Sequence, residues 1–251
     1  QTVSVLIFCT HFASKKSSLR FQKMGFRASE VKKHLSSGAS SFLMEFSQSA
    51  VAFSFNLVLM ARVGATGVSY YGVVMYICSM FNMVLIGLTQ GAQPIMSYRH
   101  GAGDGKAVEA LRRLASRSAV VLTAVMYGLV LLGGGKLAAV FLPDSPELTS
   151  LAAGMMDYYF LAFFPIGITL MNLLYFQVTQ RTGQAVFLSF VRCLGFIQLF
   201  LLILPPLAGT AVIYLSFFSG EACHCALSML LLKRSAAERK GGKQKTPRLG
   251  V

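Results

Sequence analysis

The sequence predicts an all-α, polytopic membrane protein: a lobe of six transmembrane helices preceded by the end of another helix. Three observations carry this. Hydrophobic residues make up 55% of the 251 and charged residues only 13%, where a soluble domain carries about a quarter charged; the mean hydropathy is +0.61. Several apolar runs reach the ~20 residues that cross a bilayer core. The basic residues collect on alternate flanks of those runs. In a soluble chain a net charge of +14 points to nucleic acid, but topology accounts for it here, so no nucleic-acid partner is expected. The five cysteines show neither a disulfide framework nor zinc spacing. Cys78, Cys193 and Cys223 lie in apolar runs as packing residues.

Residues 1–13 are apolar, begin with Gln1 and are too few to span. They read as the end of a truncated helix, and hence the chain as a fragment. Residues 14–34 form a basic linker in which Lys15, Lys16, Arg20, Lys23, Arg27, Lys32 and Lys33 alternate with Leu19, Phe21, Met24, Phe26 and Val31. Two readings stay open for it, an amphipathic segment on an anionic leaflet and a solvated linker. The lobe itself occupies 35–232. Its first span runs from about Leu35 to Ala61 and turns at Arg62–Gly67. The second runs from Val68 to about Gln93, where Pro94 is expected to interrupt helical hydrogen bonding. Gly87 and Gly91, four apart, are expected to admit a neighbouring helix. Residues 107–118 read as an interfacial lead-in to a third span over Ala119–Leu142, with Gly133–Gly135 weakening its outer end.

Residues 143–147 are an exposed turn in which Asp144 or Ser145 can cap the next helix. The fourth span covers Leu151–Val178 with a kink at Pro165 and Gly167, and the fifth covers Ala185–Leu204, stopped by Pro205 and Pro206. The sixth covers Thr210–Leu232. The tail, 233–251, is basic and polar and is expected to be disordered.

Of the 23 Lys and Arg residues, 21 fall on one set of flanks (14–34, 99–117, Arg181 with Arg192, and the tail) and 2 on the other, Arg62 and Lys136. Positive charge collects on the cytoplasmic side, so the linker and tail are expected inside. The protein reads as a multi-pass component of the plasma (inner) membrane.

The second span closes on Gly87-Leu88-Thr89-Gln90-Gly91-Ala92-Gln93-Pro94-Ile95-Met96-Ser97-Tyr98, followed by Arg99-His100-Gly101-Ala102. This resembles the G-x-x-Q-G-x-Q-P-I-x-x-Y signature and N/H-x-G-A loop of multidrug and toxic compound extrusion (MATE) transporters. Four further stretches agree in order over about 36–234. They are Gly38–Ser49, where Ser40 stands for the usual proline, Tyr175–Gln184, Phe187–Arg192 and Leu204-Pro205-Pro206. The resemblance implies helices seven to twelve, the C-terminal lobe of an antiporter that exports cationic or amphipathic organic compounds against protons or sodium ions. It also implies a partner N-terminal six-helix lobe. No catalytic residue, cofactor or metal is expected. The alternatives are a lipid-linked oligosaccharide flippase of the same superfamily, which would favour a cationic cavity, and a non-transporting membrane scaffold. A membrane enzyme would need clustered His, Asp or Cys at one face.

Ionisable groups inside spans are costly and hence candidate functional residues. Glu45 leads, as a buried acid that can take up and release a proton, and Gln48, Ser49 and Asn56 extend it into a polar stripe. The bland reading, a packing hydrogen bond to another helix, stays beside it. Glu221 and His224, three apart on the last span, share a face and can carry a proton. Gln90 and Gln93 can line a wet cavity. Asp157 is expected at the solvated outer end of its span, and Arg192 is expected to snorkel to the cytoplasmic surface. Phe53, Phe55, Tyr70, Tyr71, Met75, Tyr76, Phe81 and Met83 suit a greasy substrate cavity one by one, though packing or lipid contact is the commoner fate of such residues.

Overall fold

The computed structural model describes residue 10 and residues 28–208 and 212–241. Apart from residue 10, the expected truncated helix over 1–13 lies outside the described residues, as do 14–27 of the linker and 242–251 of the tail. Residues 1–35 and 36–251 form separate compact units; the lobe is the second.

Among the described residues six helical passages are long and apolar enough to cross a membrane, and their helices differ from the expected spans in instructive ways. Helix α1 is Ala28–Arg62, so it begins seven residues ahead of the first expected span. The intervening Glu30, Lys32 and Lys33 are good helix formers. Helix α2, Ala65–Gly101, runs straight through Pro94, against the expected interruption. Pro94 removes one N–H and costs the helix about 3 kcal/mol. The position is exposed, however, and Met96 just beyond it is fully buried, packed in a cluster with Val108, Leu173 and Leu174. Burial of the distal turn holds the helix together past the proline.

Helix α3, Gly105–Phe141, merges the expected lead-in with the third span and keeps Gly133–Gly135 helical. Its first turn is capped by Asp104, whose Oδ1 accepts from the Ala107 amide at 3.0 Å. Next come α4, Pro146–Tyr159, a 3-10 turn over Phe160–Ala162, and α5, Phe163–Val178. Ser145 takes the N-cap position of α4, without a side-chain bond. The expected kink lies one turn ahead of Pro165, because the missing N–H is the one that would bond the Leu161 carbonyl.

The fifth passage is two helices, α6 (Thr182–Leu194) and α7 (Phe196–Ala208). The break falls at Gly195, where a Cβ would run into the Val191 carbonyl, and not at Pro205-Pro206, which are helical. Helix α8, Ile213–Gly241, extends through the first half of the tail expected to be disordered. Ser235 is buried and donates to Gln184 Oε1 at 2.9 Å, while Arg181 donates to its carbonyl at 3.4 Å. These contacts pin the helix beyond the apolar span.

The α4–α5 passage is the core. Its most apolar window is 83% buried, against 22–39% for the other five. Around it α1, α2 and α8 each contribute a ring that meets Tyr159 of α4. Phe55 stacks on Tyr71 at 5.6 Å, Tyr159 stacks on Phe217 at 4.2 Å, and Phe55 meets both Tyr159 and Phe217 edge-on. Such pairs add about 0.5–1.5 kcal/mol each beyond area burial. Two glycines set the closest crossings. A Cβ on Gly167 of α5 would sit 3.1 Å from the Ala119 Cβ of α3, and one on Gly220 of α8 would sit 2.7 Å from the Ile197 Cα of α7. The expected approach at Gly87 and Gly91 is not used among the described residues: a Cβ at either would have nothing within 4 Å.

Candidate ion-coupling site

One helical turn separates Glu221 from His224, and α8 turns both into the lobe, where they are 0% and 3% exposed. Opposite them α6 presents Leu188 and Arg192, also one turn apart. The Arg192 side chain is only 11% exposed. Its Nε donates to Glu221 Oε1 at 2.9 Å, and a second guanidinium nitrogen reaches the same oxygen at 2.9 Å. This overturns the expectation that Arg192 snorkels. An uncompensated Glu221 would be too costly to bury, and the nearest cation pays that cost by staying inside.

The second carboxylate oxygen is treated differently. Glu221 Oε2 lies 3.7 Å from His224 Nδ1, beyond hydrogen-bonding distance, and neither atom has a hydrogen-bond partner among the described residues. The other ring nitrogen, His224 Nε2, lies 3.0 Å from the Leu188 carbonyl oxygen. A carbonyl only accepts, so Nε2 must carry the hydrogen. In a neutral ring Nδ1 is therefore a bare acceptor facing another bare acceptor. The pair is short of one proton, and a proton on either atom would turn the 3.7 Å gap into a charge-assisted hydrogen bond. The space is lined also by Met44 of α1, Thr169 of α5 and Ser189 of α6, and its volume is about 10 Å³, at the lower bound for one water. Its unpartnered atoms are Glu221 Oε2 and His224 Nδ1, one oxygen and one nitrogen, where a hard cation is ordinarily held by several oxygens.

Of the residues singled out in the sequence, Glu221 and His224 are brought together and the others are not. Glu45 is exposed on α1, as is Ser49, whereas Gln48 and Asn56 are half-buried. The Asn56 amide donates to its own helix at the Ala52 carbonyl, 2.9 Å away. Gln90 and Gln93 are exposed on α2, and so is Asp157 on α4. Phe55, Tyr70 and Tyr71 belong to the core, which removes them from any open cavity wall, while Phe53, Tyr76 and Met83 are exposed.

Sequence reasoning missed two connections. The first is Arg192 to Glu221, whose signal was one cation in the fifth passage facing one acid in the sixth. The second runs through Asn172, which accepts from Arg112 at 2.9 Å and donates to Ser228 at 2.9 Å, so tying α3, α5 and α8.

The MatE family model matches residues 41–204. No curated protein matches the sequence. Among solved structures, a MATE in complex with MaL6 aligns at 15% identity over 96% of this chain and 55% of that one, with a TM-score of 0.88. A MOP superfamily transporter from Pyrococcus furiosus aligns at 16% identity over 95% and 54%, TM-score 0.86. A multidrug resistance MATE family transporter in an outward-facing conformation aligns at 16% identity over 96% and 55%, TM-score 0.84. At these identities the likeness is one of fold, and the chain spans about half the length of the structures it matches. The Gly87–Tyr98 signature, the six spans and this shared lobe agree: the chain belongs to the MatE family, a family of membrane transporters and not of enzymes.

Proposed function

We propose that this lobe works as helices seven to twelve of a secondary active antiporter, exporting cationic or amphipathic organic compounds in exchange for protons. It rocks against an N-terminal six-helix lobe across a midplane cavity, in the manner of alternating access. Glu45, Gln48 and Asn56 on α1 and Gln90 and Gln93 on α2 contact substrate on the wall that faces the second lobe. The protein resides in the plasma (inner) membrane, with the linker and C-terminal tail cytoplasmic, by the asymmetry of its basic flanks.

The observation that carries the proton reading is the pair of buried, facing acceptors, Glu221 Oε2 and His224 Nδ1. With Arg192 present the cluster is neutral when His224 is neutral, and one proton makes it singly positive. A change of that size in a dry site shifts the balance between two packings of α6 and α8, and so couples ion occupancy to lobe movement. A sodium-coupled cycle would use another site. The flippase alternative wants a cationic cavity, and Arg192, the cation turned into the lobe, is neutralised by Glu221.

The test is dye accumulation in proteoliposomes containing the full transporter under an imposed pH gradient. His224→Gln keeps a donor for the Leu188 carbonyl and leaves the Arg192–Glu221 pair intact. It should abolish gradient-driven uptake while substrate binding stays within about threefold, because the change removes the proton site and little else. Glu45→Gln should retain the gradient response. Normal gradient-driven transport by His224→Gln, with loss confined to Glu45→Gln, would move coupling to α1. Transport driven by a sodium gradient alone would reject the proton.

A further inference from the structure

A groove of about 680 Å³ opens between α3 and α8 at their basic ends, with Ile168 and Asn172 of α5 in its lining, in the size range of sites for drug-sized ligands. Its chemistry is divided. Part of the lining is apolar, Val120 and Val121 of α3 with Met229 and Leu232 of α8, and part carries Arg113, Arg117 and Lys233, all exposed.

The charge around it is unbalanced. Arg112, in the same lining, is spent on structure: it donates to Asn172 at 2.9 Å and to both Glu109 oxygens at 3.1 and 2.7 Å. Glu109 also accepts from Arg113 at 3.0 Å. It is the one carboxylate shown pairing with these cations among the described residues. Arg117 and Lys233 lie beyond its reach in that network. A separate observation points to a ligand. The Ser116 hydroxyl, on α3 one turn beyond Arg112 and Arg113, lines the same groove with its oxygen buried and no hydrogen-bond partner among the described residues. Buried hydroxyls are ordinarily satisfied, and helical serines commonly bond the carbonyl one turn back. Here the group is left without a partner in a lining that also holds Arg113, Arg117 and Lys233.

We propose that this groove binds an anionic phospholipid of the leaflet on the basic side of the lobe. The phosphate sits among Arg117, Lys233 and Arg113 and accepts from Ser116, and an acyl chain lies along Val121 and Met229. The charge matches an anion, and the adjoining apolar wall at the end of a membrane span matches a chain. Anionic leaflets attract such basic clusters at about 1 kcal/mol per Lys or Arg. The groove shares no lining residue with the space around the Glu221–His224 pair.

Native mass spectrometry of the full protein released from nanodiscs provides the test, with phosphatidylglycerol, phosphatidylcholine and soluble glycerol phosphate as probes. Phosphatidylglycerol should stay bound where phosphatidylcholine does not. The triple substitution Arg113→Gln/Arg117→Gln/Lys233→Gln should lower its occupancy about tenfold or more, and Ser116→Ala about threefold. Lys136→Gln, at the other end of α3, should change nothing. If the triple variant unfolds, Arg117→Gln with Lys233→Gln alone carries the comparison. Equal retention of both lipids, unchanged binding in the Gln variants, or glycerol phosphate binding as well as the intact lipid would each overturn the proposal.

Discussion

Arg192 and Glu221 are worth considering as two separable quantities, a contribution to stability and a contribution to transport. Two buried charges cost several kcal/mol each to desolvate, and their attraction only roughly repays that. Removing one partner is therefore worse than removing both. Arg192→Met strands Glu221 and should destabilise the lobe by about 3–5 kcal/mol. The double replacement Arg192→Met/Glu221→Met should recover most of that loss, because it leaves an apolar site of similar volume. Thermal unfolding of the purified protein in detergent measures both. Gradient-driven transport should be lost in the double variant despite its recovered stability. A double variant that is stable and still transports would reduce the pair to a packing feature.

At the level of the helices, the lobe is organised by where backbones come closest. The α7–α8 crossing tolerates no side chain at position 220, since a Cβ there would meet the backbone of Ile197 at 2.7 Å. Gly220→Val should force the two helices apart and cost at least about 1–3 kcal/mol, as overpacking does. The clash is with backbone and not with the movable end of a side chain, so the upper part of that range is expected. Gly91 is also helical, but open. Gly91→Ala should be neutral or stabilise this lobe by about 0.5–1 kcal/mol, the usual gain of replacing a helical glycine. The difference in unfolding midpoint between the two variants tests the assignment of α7–α8 as the tight crossing. A marked loss of transport without loss of stability in Gly91→Ala would instead assign that face to contact with another lobe.

Over the whole molecule, the 21-to-2 split of Lys and Arg between alternate flanks sets the expected orientation in the membrane. The turn at 143–145 and the turn at 102–104 lie at opposite ends of α3, so they should face opposite compartments. A cysteine placed at Ser145 should react with a membrane-impermeant maleimide on intact cells above the parent background. One at Gly103 should react only after permeabilisation, and the reverse pattern would invert the assignment. The native Cys78 and Cys225 are buried and Cys223 is half-buried, so the parent protein is labelled alongside. The same orientation puts Arg113, Arg117 and Lys233 at the cytoplasmic leaflet, so the labelling result bears directly on which lipids the α3–α8 groove meets.

What the residues by themselves determined is the class and the order of the spans. Hydropathy needs only composition over about 20 residues, and membrane insertion leaves the backbone no choice but helix. The family resemblance was legible for a similar reason, since Gly87–Tyr98 is a local pattern. Helix ends and breaks were less legible, because they depend on burial elsewhere. Met96 carries α2 past Pro94, Ser235 carries α8 past Leu232, and Gly195 breaks the fifth passage ahead of its prolines. The pairing of Glu221 with His224 was visible because three residues on one helix share a face whatever surrounds them. The partner that makes their burial tolerable was not. Arg192 stands 29 residues away on another helix, and only the packing of α6 against α8 decided that its guanidinium turns inward to a carboxylate instead of outward to the lipid surface.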